Sequence, residues 1–487
     1  MSPVQEAQYS SLPGRFYHKA TPTAVRAPSL LMLNEPLAKA LGFSPKTFSS
    51  AEGLAPFAGN ALLPGSKPIS TAYGGHQFGG WSPQLGDGRA MLLGDVKHEN
   101  GTLLEIQLKG SGPTPFSRGG DGRAGVGPIL REYLVGEAMH ALDVPTTRSL
   151  IAVGTGQPIF RERQYPGAIL TRLAKTHARV GTFQYFANLR DFTSVQTLAD
   201  FVIARCYPTA AESPMPYLAL FDAVAAQQIS LVVNWVRVGF IHGVMNTDNT
   251  AISGETIDYG PCAFLDHYQH DKVFSSIDRF KRYAFGSQLK ILIWNLARFA
   301  ECLVTLIDQD STAAIETLNA RIQTIQSDSV QAYQAMMCEK IGLSSVTSEG
   351  TALADTLLAV MEENSADYTR TFRQLAQVGK GPIGQAARIE FNEPAAFDAW
   401  HKRWRAHLEA TTTAEDANKL MKSVNPSIIP RNHKIAQAIT DAESGDLSTA
   451  ESLHQALLSP YKDRLDDDPF ITPPKPSEVV TKTFCGT

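Results

Sequence analysis

The residues of this 487-residue chain best placed to do chemistry lie in His242-Gly243-Val244-Met245-Asn246-Thr247-Asp248-Asn249, with Asp258-Tyr259-Gly260 nine residues further on. Asn249 and Asp258 offer the hard oxygen donors that suit Mg²⁺ or Mn²⁺. Asp248 adds a carboxylate directly before the asparagine, and neighbouring metal charge would keep it ionised. Val244, in the middle of the loop, can neither accept a proton nor orient a hydroxyl. The same letters also occur in ordinary turns, so their meaning rests on the elements around them.

Upstream, residues 90–109 read as a β-hairpin turning through His98-Glu99-Asn100-Gly101. In its second strand Leu104, Ile106 and Leu108 alternate with Glu105, Gln107 and Lys109, so the aliphatics face a core and Lys109 the other side. A lysine there could meet nucleotide phosphates, although a lone strand more often carries an exposed edge lysine. Pro128 fits a first helical turn, and Leu130, Tyr133, Leu134, Ala138 and Ala141 then repeat at helical spacing. That predicts an amphipathic helix over 128–142, with Glu132 and Glu137 as alternative partners for Lys109. Five positions apart, they cannot both reach it, and periodicity leans against Glu132. Of the 37 glycines, 15 lie between Gly74 and Gly127, where backbone N–H groups could approach phosphate oxygens. Asp87, Arg89, Arg118, Asp121 and Arg123 are embedded among them, which flexible linkers seldom need. Neither glycine stretch matches the Gly-x-Gly-x-x-Gly or P-loop pattern.

Lysine on a strand, glutamate on a helix, then an Asn-bearing loop and an Asp turn is the order of parts in protein-kinase-like phosphotransferases. Val244 stands where their catalytic aspartate would be. The chain closely resembles the selenoprotein O family, whose bacterial branch is called YdiU. The resemblance rests on Tyr73-Gly-Gly-His-Gln-Phe-Gly, Gln84-Leu-Gly-Asp-Gly-Arg, Gln107-Leu-Lys-Gly-Ser-Gly-Pro-Thr-Pro-Phe-Ser-Arg, Gly119-Gly-Asp-Gly-Arg-Ala, Arg131-Glu-Tyr-Leu, Gly239 to Asn249, and Asp258-Tyr-Gly-Pro. Weaker echoes are Asn425-Pro and Pro430-Arg-Asn.

The resemblance implies an α+β, protein-kinase-like bilobal fold that transfers AMP from ATP to Ser, Thr or Tyr hydroxyls of proteins. The ATP would be held in a flipped orientation, so that the α-phosphorus faces the acceptor. It makes Gly86, Gly88, Arg89, Lys109, Asp121, Gly122, Arg172, Arg179 and Asp258 the nucleotide site, Asn249 and Asp258 the Mg²⁺ (or Mn²⁺) ligands, and Asp248 the proton acceptor. It favours Glu132 as the partner of Lys109. From spacing alone, Arg172 and Arg179 would read as a solvated basic face. Eukaryotic members carry selenocysteine near the C-terminus, so Cys485 looks like its sulfur counterpart. Cys262, just past the Asp258 turn, and Cys485 are read either as a transient redox pair or as two unrelated thiols. Whether UTP competes with ATP stays open, as do a kinase and an inert pseudokinase scaffold.

By length the chain divides into an N-terminal extension (1–59), an N-lobe with nucleotide loops (60–175), a helical C-lobe (176–300) and a helical extension with a proline-rich tail (301–487). Expected helices there include Gln288–Asp308, Ala314–Ile325 and Ala395–Ala410, the last with Trp400 and Trp404 as core or interface residues. With 44 Lys+Arg against 48 Asp+Glu, bulk charge gives no support for a nucleic-acid partner. The most apolar stretch, Leu218 to Ile241, is broken by Asp222, two glutamines, Asn234 and Arg237, so no membrane span is expected. Five cysteines show no metal-ligand spacing, and Cys206, Cys302 and Cys338 read as inert thiols. The N-terminus has no signal-peptide pattern, so a cytoplasmic monomer is expected.

Overall fold

The computed structural model describes residues 3–377, 382–465 and 467–484. Its first strands are β1 (Val4–Gln5), β2 (Tyr17–Lys19), β3 (Ser29–Leu33), β4 (Ile69–Thr71), β5 (Gly75–Gln77) and β6 (Gly80–Ser82). Then come β7 (Ala90–Lys97), β8 (Leu103–Lys109), β9 (Ala124–Gly125), β10 (Arg148–Phe160), β11 (Gln164–Ala174), β12 (Phe240–Ile241) and β13 (Ala263–Phe264). A nine-stranded antiparallel sheet runs β2-β4-β7-β8-β11-β10-β3, with β1 added on β7 and β9 on β11. Segment 1–59 therefore supplies three strands of the same sheet.

The hairpin expected at 90–109 is β7–β8, and β8 lies in the interior of the sheet between β7 and β11. That removes the exposed-edge reading of Lys109. Ile106 and Leu108 enter a core with Phe48, Phe57 and Val96, while Glu105, Gln107 and Lys109 turn to the opposite face, as the two-residue strand period requires. That face is covered as well, and all three polar residues are buried.

Much of the cover is the helix Val126–Ala141, which packs on β10 and β11. It is not amphipathic as expected. Buried residues occur on every side of it, because the helices Asn432–Glu443 and Ser448–Leu457 close over its outer face. Both glutamates are therefore inside, and each has a partner. Glu137 accepts from Arg148 Nη2 at 2.7 Å, Ser149 N at 2.8 Å and Asn34 Nδ2 at 2.7 Å, joining the helix to β10 and to the segment after β3.

Beyond the sheet the chain is mainly helical. Helices Pro216–Arg237, Gln288–Ile307 and Ser311–Lys340 pack together, and the segments expected at 288–308 and 314–325 fall within the latter two. Pro216–Arg237 is, by length and mean hydropathy of 1.4, apolar enough to cross a membrane, contrary to expectation. Three of its polar side chains are nonetheless bonded inside the protein. Gln228 donates to Ala251 O, Trp235 to Thr256 Oγ1 and Arg237 to Leu142 O. In Pro394–Thr411, Trp400 and Trp404 stack at 5.3 Å and donate their indole N–H groups to Leu353 O and Ile341 O, which makes them core residues. The two C-terminal echoes are fasteners. Asn425 exchanges hydrogen bonds with Lys340, and Arg431 joins Asp266 and Asp367 at 2.8 Å each.

Candidate active site

Cross-strand register starts the site. Arg172 on β11 stands opposite Gln107 on β8, and Leu170 opposite Lys109. Arg172 is thus the diagonal neighbour of Lys109 on one face, and both are buried beneath the sheet. Neither Arg172 nor Arg179 belongs to a solvated face: each is 2 % exposed. Arg179 caps the helix Val180–Asn188, and its segment is laced to the end of the 242–249 loop by Val180 N donating to Thr250 O.

These three cations converge on one carboxylate. Lys109 Nζ lies 2.7 Å from Asp258 Oδ1 and 2.5 Å from Glu132 Oε2. Arg172 Nη1 is 2.7 Å from Asp258 Oδ1 and 2.8 Å from Glu132 Oε1, while its Nε donates to Gln107. Arg179 Nη1 reaches Asp258 Oδ2 at 2.9 Å and the Asp248 carbonyl at 2.7 Å, and its guanidinium lies over the Tyr73 ring. Burial pushes the Asp258 carboxyl up, but the three cations outweigh it and hold it well below the usual carboxylate range. Burial likewise opposes ionisation of Glu132, and Lys109 and Arg172 overcome it. The backbone at Asp258 is left-handed (φ 65°), a strained setting for a non-glycine residue that turns its carboxylate into the cluster.

Two loops are joined by a residue to which spacing assigned no role. His242 Nε2 meets Ile257 O at 2.9 Å, and its Nδ1 accepts from Val244 N, so the imidazole holds the 242–249 loop against the residue before Asp258. Asn249 Nδ2 donates to Val244 O at 2.9 Å, which orients its amide. Asp248 is buried, and that burial pushes its carboxyl up to about 6, with a hydrogen bond from Gln77 and the charge of Arg179 pulling the other way.

Lys109, Glu132, Arg172, Arg179, Val244, Asp248, Asn249 and Asp258 line a cleft of 590 Å³, together with Gly86, Gly88, Arg89, Asp121 and Gly122. At the rim Arg161 grips Asp121 through two 2.9 Å bonds, a partner spacing did not suggest because it comes from the β10–β11 turn. The glycines answer first to packing. A Cβ on Gly86 (φ 71°) would stand 2.2 Å from the Phe116 ring, and one on Gly122 (φ 63°) 2.0 Å from Gly112 O. The loops bearing them interlock before any ligand is considered. Cys262 is buried two residues beyond Gly260, and Cys485 lies outside the described residues. A larger cavity of 790 Å³ lies between Pro216–Arg237 and Ser311–Lys340, but Arg321 there pairs with Asp222 and Arg237 is spent on carbonyls. It offers no converging cations for a polyphosphate.

Among the described residues no three His, Cys, Asp or Glu side chains form a metal cage. The donor set still fits Mg²⁺, which takes one or two protein oxygens and completes its shell from phosphate and water. Asp258 would supply a carboxylate oxygen and Asn249 its amide oxygen, and both residues line the cleft.

A family profile described as protein adenylyltransferase SelO matches residues 2–458. A protein nucleotidyltransferase YdiU from Bradyrhizobium sp. (strain BTAi1) is 50 % identical over 482 residues, covering 98 % of both chains. The protein of the same name from Nitrobacter winogradskyi is 51 % identical over 481 residues (98 % of this chain, 95 % of its own), and that from Rhizobium rhizogenes 50 % over 496 residues (100 % and 99 %).

Proposed function

The chain belongs to the SelO/YdiU family and is a nucleotidyltransferase, and from that premise we propose that it moves AMP from ATP to hydroxyl side chains of other proteins. The observation that carries this reading is the convergence of Lys109, Arg172 and Arg179 on Asp258, beside the Asp248 carboxylate, in one cleft. On Mg-ATP binding these cations pass from Asp258 to the polyphosphate, deep in the pocket, and stabilise the charge that develops on departing pyrophosphate. The α-phosphorus then faces Asp248. The acceptor oxygen bonds to it, the bond to pyrophosphate breaks with the electron pair leaving on pyrophosphate, and the hydroxyl proton passes to Asp248. Asn249 and Asp258 would hold Mg²⁺, which neutralises phosphate charge when bound. The sheet and helical parts are read as the two lobes of a kinase-like fold, with ATP flipped relative to a kinase.

ATP labelled on the α- or the γ-phosphate tests the reading. Transfer of α-label to protein is expected; γ-label on protein would make the chain a kinase, and neither would leave a binding scaffold. A kinase is disfavoured by Val244, which leaves no carboxylate at the usual position. Val244→Asp should not create γ-phosphoryl transfer, because the flipped nucleotide presents the wrong phosphorus. The same assay with UTP in place of ATP shows which nucleotide is preferred. We also place Cys262 and Cys485 in a redox control of this site.

A further inference from the structure

The glycine-rich stretch Tyr73-Gly-Gly-His-Gln-Phe-Gly borders the cleft through Tyr73, Gln77 and Phe78. It forms the β5–β6 hairpin, and that hairpin grips the catalytic loop residue by residue. His76 N donates to Thr247 Oγ1 at 2.7 Å, Gln77 Nε2 to Asp248 Oδ2 at 3.0 Å, and Phe78 N to Asn246 Oδ1 at 3.1 Å. Gly75 packs so closely that a Cβ there would stand 3.0 Å from Asp248 Oδ1, and Gly74 N donates to Gly181 O. The far side of the hairpin is pinned too. The His76 ring lies 5.0 Å from that of Trp81 and 5.3 Å from that of Trp294 on the helix Gln288–Ile307, and it meets Gln184 Nε2 at 2.9 Å. The hairpin is thus held from both sides, and its register fixes where Gln77 points.

That matters for Asp248. Its Oδ1 is buried with no hydrogen-bond partner among the described residues, and Gln77 is the one side chain there that donates to the carboxylate. A carboxylate oxygen has two lone-pair positions. With Gln77 on one of them, Oδ2 keeps a second in a defined direction, and both side chains line the cleft. We propose that Gln77 is a positioning residue for nucleotidyl transfer: from the hairpin clamp, its carboxamide N–H aims the Asp248 carboxylate at the acceptor hydroxyl. The inference rests on the reading of Asp248 as the group that meets that hydroxyl.

The test compares wild type, Gln77→Met, Gln77→Glu, Asp248→Ala and the double variant Gln77→Met/Asp248→Ala, reading α-label transfer to protein and, separately, equilibrium ATP binding. Methionine keeps the length of glutamine without its donor; glutamate keeps the shape and places like charges together. Both single changes at 77 should lower kcat by roughly 10- to 100-fold, the range for a lost hydrogen bond to a charged group, with ATP affinity unchanged. In the Asp248→Ala background, Gln77→Met should cause no further loss, because the group it aims is gone. A merely structural hairpin residue would weaken ATP binding or depress both backgrounds alike, and either result overturns the proposal. Undiminished kcat in Gln77→Met overturns it alone, with α-label transfer by wild type still standing. Absence of α-label transfer in wild type overturns it together with the reading beneath it.

Discussion

Three cations on one carboxylate make Asp258 the point where loss of a single group is felt most. Removing it leaves Lys109, Arg172 and Arg179 buried without their common counter-charge, a change that typically costs about 3–5 kcal/mol when a buried pair is broken. Asp258→Ala should therefore abolish transfer and also lower the unfolding temperature in the absence of nucleotide. On the proposed reading, Asn249→Ala should weaken metal binding less severely, since the ligand it would delete is neutral. Full wild-type activity in excess chelator would remove the metal from the account. Lys109 invites a sharper substitution. Its ammonium fits between Glu132 and Asp258 at 2.5 and 2.7 Å, and a planar guanidinium fork is too large for that gap. Lys109→Arg should thus raise the ATP concentration needed for half-maximal transfer and slow the reaction, as should Lys109→Ala. Wild-type kinetics in either variant would show that the lysine serves the fold alone.

At the scale of elements, two glutamates on one helix separate function from stability. Glu132 faces the cluster, whereas Glu137 ties the helix to Arg148, Ser149 and Asn34. Glu137→Ala should lower unfolding free energy by about 3–5 kcal/mol, measured by denaturant titration, with residual transfer per folded molecule retained. Glu132→Ala should instead lose transfer. The sequence showed the hairpin and the helix correctly because alternation and 3.6-residue spacing are local signals. It pointed away from Glu132 because the helices that bury the outer face, Asn432–Glu443 and Ser448–Leu457, lie some 300 residues away in the chain (about two typical domain lengths). Cross-chain cover also explains Arg172 and Arg179, whose basic spacing gives no hint of burial.

A second element-scale expectation concerns the link between β11 and the catalytic loop. Glu255 accepts from Lys175 N at 3.0 Å and Ser253 Oγ at 2.7 Å, yet burial dominates and pushes its carboxyl up to about 7. A raised carboxyl binds its proton more tightly in the folded state. Its contribution to stability is whole below the unfolded value of 4.5 and is lost as pH rises through about 7. The swing is on the order of 3 kcal/mol. Glu255→Gln, which cannot titrate, should flatten the stability profile across that window relative to wild type. Parallel profiles for the two proteins would contradict the assignment.

The whole molecule closes on itself at a point that no local pattern could reveal. Thr483, near the C-terminus, adds to the backbone at Phe274–Ser276, and its hydroxyl donates to Pro261 O at 2.5 Å, across 222 residues of sequence. Pro261 lines the cleft and precedes Cys262, whose thiol donates to Tyr259 O and lies against the Arg131 guanidinium. Cys485 follows Thr483 by two residues in the sequence and lies outside the described residues. Burial raises the thiols of Cys302 and Cys206, the latter to about 12. Oxidation by a small-molecule disulfide would join Cys262 and Cys485 with release of two thiols, and so tether the segment that borders Asp258. In a reducing compartment such a bond is transient. Transfer by the wild-type protein should therefore change when dithiol reductant is added after mild oxidation, and Cys485→Ser should be indifferent to the same treatment. Equal responses in both proteins would leave the tail as a structural strap, held by Thr483 and without redox control of the site.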